Sequence, residues 1–154
     1  MTLNDEQKVA VLLAALAERY QAMRTIRERV QSVGLWALGL LVAAGGWLIQ
    51  SRTELSDNER WIAIIGLGAA LLVLRFWYLA DLQKGFAGQQ RVAATIERAL
   101  GFFEPGALGL MDASIYPASW NEAGSTDGKG RFFSSSYALL YGGVAFLAAV
   151  LFIG

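Results

Sequence analysis

The stretch WIAIIGLGAALLVLRFWYLADL, residues 61–82, decides how the whole chain is read. Its apolar run from Trp61 to Ala80 is long enough, at 1.5 Å per residue, to cross a hydrocarbon core of about 30 Å. One cation interrupts it. Arg75 stands 14 residues after Trp61, roughly 21 Å along an ideal helix. From there its guanidinium reaches the edge of the apolar layer only by extending against the N-terminal lean of helical side chains.

Two further stretches pass the same length test, Val33 to Ile49 (VGLWALGLLVAAGGWLI) and the uncharged C-terminal run from Phe132. The composition agrees: 55% of the 154 residues are hydrophobic and only 17% are charged, below the share of about 25% usual in soluble domains. The expected fold is therefore all-α: an integral membrane protein with three transmembrane helices and a cytoplasmic antiparallel helical hairpin. Its segments are an amphipathic cytoplasmic helix (1–32), transmembrane helix 1 (33–50), a short outer hairpin (51–60) and transmembrane helix 2 (61–80). A cytoplasmic helix (81–100), a Gly/Pro-rich cytoplasmic loop (101–131) and transmembrane helix 3 (132–154) follow.

Lysine and arginine set the expected orientation. Arg19, Arg24, Arg27 and Arg29 precede the first span, and Lys84, Arg91, Arg98, Lys129 and Arg131 lie between the second and third, whereas the short turn has only Arg52 and Arg60. By the positive-inside rule the N-terminus is expected on the cytoplasmic side and the C-terminus outside. About 30 mixed residues precede the first apolar run, unlike the short basic start of a cleavable signal. Trp36, Trp47, Trp61, Trp77, Tyr78, Phe132, Phe133 and Tyr137 fall at span ends, where aromatic rings favour the interface.

With this topology Ser134, Ser135, Ser136 and Tyr137 enter the bilayer from the same side as Arg75 and offer hydroxyl acceptors to it. Three roles for Arg75 stay open: interfacial anchor, gating or ligand-binding charge, and structural partner in an oligomer.

The flanks carry the clearest periodicity. Val9, Leu13, Leu16, Tyr20, Met23, Arg27 and Val30 alternate spacings of four and three, and Leu79, Leu82, Phe86, Gln89, Ala93, Ile96 and Leu100 do the same. Such series form coiled-coil seams. Run antiparallel, they pair Val30 with Leu82, Arg27 with Phe86, Met23 with Gln89, Tyr20 with Ala93, Leu16 with Ile96 and Leu13 with Leu100. Asn4 or Asp5 can cap the first helix and Gly101 can end the second, with Gly85 and Gly88 as weak points. The seams build a bundle; the first could alternatively bind a protein partner's helix or the membrane surface.

Catalytic chemistry is sparse. The chain has neither cysteine nor histidine, so it lacks thiolate chemistry, the usual general base and the commonest metal ligand. The carboxylates Glu104, Asp112, Glu122 and Asp127 are scattered through a loop, and GSTDGKG (124–130) departs from a phosphate loop in both its glycine spacing and the residue after lysine. A non-enzyme without cofactor or metal is expected. The 13 basic residues balance the 13 acidic ones, which gives no sign of a nucleic-acid partner. Phe102, Phe103, Leu108, Met111, Ile115, Tyr116 and Trp120 could cover the hairpin or lie on the bilayer, and YPASWNEAG predicts a short helix with Pro117 in its first turn.

Glu54, Asp57 and Glu59 make the outer turn acidic. They are either solvated or, in a symmetric oligomer, a ring that attracts cations at a pore mouth. Small residues at Ser134, Ala138 and Gly142, at Gly66 and Ala70, and at the pairs Gly45–Gly46 and Gly142–Gly143 permit close helix approach, so a homo-oligomer is expected.

The paired spans, short outer turn and cytoplasmic helices at Val9 to Val30 and Leu79 to Leu100 resemble the SLATT-type small membrane proteins of bacterial conflict systems. The resemblance covers residues 5 to about 100; the third span is additional to that two-span pattern. It implies a pore-forming effector triggered by a nucleotide-sensing or other partner, and it assigns no site residues. Two functions are therefore carried forward: an oligomeric membrane effector or channel-like component controlled through its cytoplasmic helices, and a non-catalytic accessory or scaffold subunit of a larger membrane complex.

Overall fold

The computed structural model of the protein describes residues 4–51, 55–106, 109, 113–123 and 131–153. Every regular element among them is helical: α1 (Asp5–Ser51), α2 (Asp57–Val73), a π-helical segment (Leu74–Leu79), α3 (Ala80–Ala99), a 3-10 turn (Ala118–Glu122) and α4 (Arg131–Ile153). Three helical runs, Asp5–Gln50, Asp57–Ala99 and Phe132–Phe152, are long and apolar enough to cross a membrane. The helical class and the three apolar helices expected from hydropathy are thus present. Glu54, Leu108, Met111, Asp112 and the 124–130 stretch lie outside the described residues.

Local chemistry accounts for the helix ends. Asn4 caps α1 reciprocally: its side chain accepts from the Gln7 N–H at 2.7 Å, and Gln7 Oε1 accepts from the Asn4 N–H at 3.1 Å. At the end of α3, Gly101 has φ 77°, a left-handed conformation that glycine adopts without a Cβ clash. The Phe102 N–H then reaches the Glu97 carbonyl at 3.0 Å and the Gly101 N–H reaches that of Arg98 at 3.1 Å, the paired bonds of a Schellman stop. The residue expected to end this helix does end it. Pro117 stands as the cap of the 3-10 turn rather than inside a helix, since Ala118 is the first residue of that turn.

α2 begins with a capping box. Ser56 Oγ accepts from the Glu59 N–H, and the Glu59 carboxylate accepts from the Ser56 N–H at 2.9 Å and its hydroxyl at 2.7 Å. These bonds hold the Glu59 carboxyl below its ordinary value of 4.5. Because the folded-state pKa is depressed, the contribution of Glu59 is present above pH 4.5 and is lost as pH falls through the lower, folded value. We expect Ser56→Ala to lower thermal stability by about 1 kcal/mol. Glu59→Gln should flatten the acid limb of a melting-temperature profile against pH.

The chain divides into two compact units, Met1–Arg27 with Gln83–Gly128, and Glu28–Leu82 with Lys129–Gly154. In the second, α4 buries a stripe formed by Phe133, Leu140, Leu147 and Leu151, spaced so that each falls on one helical face. Two glycines permit close helix approach here. A Cβ on Gly45 would lie 2.7 Å from the Phe146 ring, and one on Gly143 would lie 2.9 Å from both Leu38 Cδ1 and Leu41 Cδ1. Their neighbours Gly46 and Gly142 face open space. Trp61 meets Phe152 edge to face, with ring centroids 5.7 Å apart.

In the first unit, Leu16 of α1 and Phe86, Ala87, Ala93 and Ala94 of α3 are buried, together with one charged residue, Glu97. Gly85 and Gly88 lie within α3 and do not break it. The loop after α3 carries an aromatic cluster in which Tyr116 packs against Phe102, Phe103 and Trp120 at centroid distances of 5.5, 5.9 and 5.3 Å. Arg98 ties the 3-10 turn to α3 by donating to the Asn121 side chain at 2.8 Å and its carbonyl at 3.1 Å.

Candidate functional site

Arg75 lies in the π-helical segment. A π-turn accommodates one more residue than an α-turn, and such turns occur often at functional positions. The guanidinium stacks over the Tyr137 ring, 4.0 Å from its centroid, and donates to the Tyr137 hydroxyl at 3.2 Å. The Phe76 ring lies 5.5 Å from it. A cation between aromatic faces in an apolar segment is held by ring electrostatics as well as by the hydrogen bond.

Of the hydroxyls that the sequence offers to Arg75, Tyr137 takes the part. Ser135 and Ser136 instead donate to the Phe132 carbonyl at 2.8 and 3.1 Å, a local backbone bond available to serine in a helix. Leu79, at the end of the π segment, is 1% exposed, while Phe76, Trp77 and Tyr78 point outward.

A second constellation lies in the first unit. A cavity of about 540 Å³ is bounded by Tyr20, Met23, Arg24 and Arg27 of α1, and by α3 residues that include Phe86, Gln90 and Glu97. Trp120 and Ala123 line it from the loop. Glu97 is 6% exposed. Its carboxylate accepts the Tyr20 hydroxyl hydrogen in a short bond, and the Tyr116 hydroxyl is 3.3 Å from that of Tyr20. Arg27 rides over the Phe86 ring at 5.2 Å.

Although Tyr20 as a whole is 41% exposed, desolvation at its hydroxyl end, reinforced by the bond to buried Glu97 and by Tyr116, pushes the phenol above its ordinary value of 10.0. The sign follows directly: its stabilising contribution is present below pH 10 and lost as pH rises toward the raised value. We expect Tyr20→Phe to cost about 1–3 kcal/mol, because a buried carboxylate oxygen loses its donor. Thermal unfolding of the two proteins side by side measures it.

The other expected site residues are distributed as follows. Glu59 is occupied in the α2 capping box, Asp57 is exposed in the first turn of that helix, and Glu54 is outside the described residues. Of the seam, Leu16 and Phe86 are buried, Met23, Ile96 and Leu100 are half-buried, and Leu13 and Tyr20 are exposed. Gln89 is half-buried and accepts from Arg19 at 3.0 Å. Among the described residues no group of three His, Cys, Asp or Glu side chains could hold a metal ion.

Sequence reasoning missed Glu97 and the π segment. A four-three reading through Phe86, Gln90, Ala93 and Glu97 was available, but it passes through two polar residues, so apolar periodicity favours the parallel series through Ile96 and Leu100. The fold is that of a helical protein with three helices of membrane-crossing length and composition. Comparison with family models, curated proteins and solved structures found no match to the chain.

Proposed function

We propose that this chain is a non-catalytic, multi-pass protein of the bacterial inner membrane that acts as an oligomeric membrane effector or channel-like component, controlled through helices on the cytoplasmic side. The observation that carries this reading is helical continuity. α1 runs unbroken from Asp5 to Ser51, and the run from Asp57 to Ala99 stays helical through its π-helical segment. Each joins an apolar stretch to a charged one within one helical run, which supports control of the apolar part by a partner bound to the charged part.

Exposure of the apolar helices fits a bilayer. Leu35, Trp36, Leu40, Ile62, Ile65 and Trp77 all stand outward, a surface that water would penalise and hydrocarbon would not. Ser134, Ala138 and Gly142 are also exposed along α4, a small-residue face suited to a neighbouring helix from another copy. The lysine and arginine distribution supports a cytoplasmic N-terminus, and the proposed activity accords with the resemblance to SLATT-type proteins.

The accessory-subunit reading draws on a different surface. Ile115, Trp120 and Val92 of the first unit are exposed apolar residues that a larger complex could cover. Gentle detergent extraction from the native membrane, followed by mass measurement and an ion-leakage assay in vesicles, separates the two. Identical copies that permeabilise vesicles support the effector. A fixed stoichiometry with other polypeptides and no leakage from the isolated chain supports the subunit.

A further inference from the structure

We propose that the cavity between α1, α3 and the 3-10 turn is a binding site for a small zwitterion that carries an amine and an anionic phosphate or carboxylate group. Size is the first argument: about 540 Å³ falls within the range of small-molecule sites. The distribution of charge is the second. The lining holds one carboxylate, Glu97, and two guanidinium groups, Arg24 and Arg27.

Glu97 is buried while its partner on the α1 side is a hydroxyl, that of Tyr20. A carboxylate offers about four lone-pair sites, so the Tyr20 bond leaves room for an ammonium donor. Trp120 and Tyr20 also line this space, and aromatic faces favour a cation. Arg24 and Arg27 are one turn apart on α1 and both exposed. Each guanidinium carries five N–H donors, enough to engage an anion while keeping existing contacts.

A simple anion would leave Glu97 facing negative charge, and a simple cation would make no use of the two guanidinium groups in the lining. A molecule with both ends sets its ammonium against Glu97 and its anion against Arg24 and Arg27, adding to the contacts these arginines already make. The 3-10 turn that brings Trp120 to the cavity is itself fixed to α3 through Arg98 and Asn121, so this wall is held in place before a ligand arrives.

The test uses the full chain in nanodiscs made of phosphatidylglycerol alone, with calorimetric titration of O-phosphoethanolamine, ethanolamine and inorganic phosphate. The whole probe should bind about ten-fold more tightly than either half. Glu97→Gln should abolish that advantage and leave phosphate binding intact. Arg24→Gln combined with Arg27→Gln should weaken the whole probe by about ten-fold or more.

Absence of binding, or binding unchanged by the variants, overturns the proposal. If Glu97→Gln fails to fold, as judged by circular dichroism, the exposed arginine pair decides the matter alone. Repeating the titration in nanodiscs containing phosphatidylethanolamine identifies the source. Competition assigns a lipid headgroup, and unchanged affinity assigns a soluble zwitterion; either result upholds the site.

Discussion

Gly143→Val is expected to destabilise the single folded chain by about 2 kcal/mol, while Gly142→Val, on the face proposed to meet another copy, changes the stability of the dissociated chain by less than about 0.5 kcal/mol. The two glycines are neighbours with the same helical cost, so the comparison isolates packing. A Cβ at Gly143 would lie 2.9 Å from the tips of both Leu38 and Leu41, closer than ordinary van der Waals contact, and at Gly142 it meets nothing within 4 Å. One leucine can turn aside at moderate cost. Two on the same side, with valine's branch added, must both leave their present positions.

Unfolding in mixed micelles at increasing fractions of denaturing detergent gives the stability difference. Equal effects at both positions would reject the close approach. A cycle with Leu41→Ala adds a sharper check, because the smaller side chain frees space for the valine. The double variant should recover at least about 0.5 kcal/mol relative to additivity.

The second large effect is expected at Tyr137. Replacement with leucine should cost about 2 kcal/mol and replacement with phenylalanine about 1 kcal/mol, because phenylalanine keeps a ring under the Arg75 guanidinium and loses the hydroxyl acceptor. The geometry behind this is the 4.0 Å stacking distance and the 3.2 Å hydrogen bond. In an Arg75→Leu background the difference between the two Tyr137 variants should disappear, since the cation that distinguishes them is gone. A difference that persists would show that Tyr137 stabilises α4 by packing alone.

Arg75→Leu also bears on function. Leucine in an apolar segment is favoured over arginine on insertion scales, so the variant should insert normally. Vesicle leakage unchanged from the parent would leave Arg75 an anchor or structural partner; leakage abolished with normal insertion would make it a working charge.

The sequence made some of this arrangement legible and concealed the rest for identifiable reasons. Hydropathy and length found the three apolar helices because a membrane-crossing helix needs about 20 apolar residues and few other local structures use such a run. Helix ends were equally readable at Asn4 and Gly101, where side-chain chemistry acts within a few residues. Close approach was legible as a set of glycines but not as individuals: Gly45 and Gly143 face other helices, while Gly46 and Gly142 do not. That distinction depends on helix rotation, which one sequence leaves open.

Arg75 presents the same division. Its need for a polar partner followed from charge in an apolar run, and the partner lay among four adjacent candidates. Tyr137 was selected by a contact across 62 positions of sequence, which no local pattern encodes. Glu97 was harder still, because a buried carboxylate on a helical face looks like an interruption of an apolar series until its tyrosine partner is known.

The π-helical segment Leu74–Leu79 has a consequence for how this chain tolerates changes in length. A π-turn stores one surplus residue relative to an α-helix. Losing a residue from this segment would remove the surplus and leave regular α-helix. The same loss elsewhere between Asp57 and Ala99 would turn everything downstream by about 100°. Natural length variation in this helix should therefore concentrate at Leu74–Leu79, beside the arginine whose position the surplus residue helps to set.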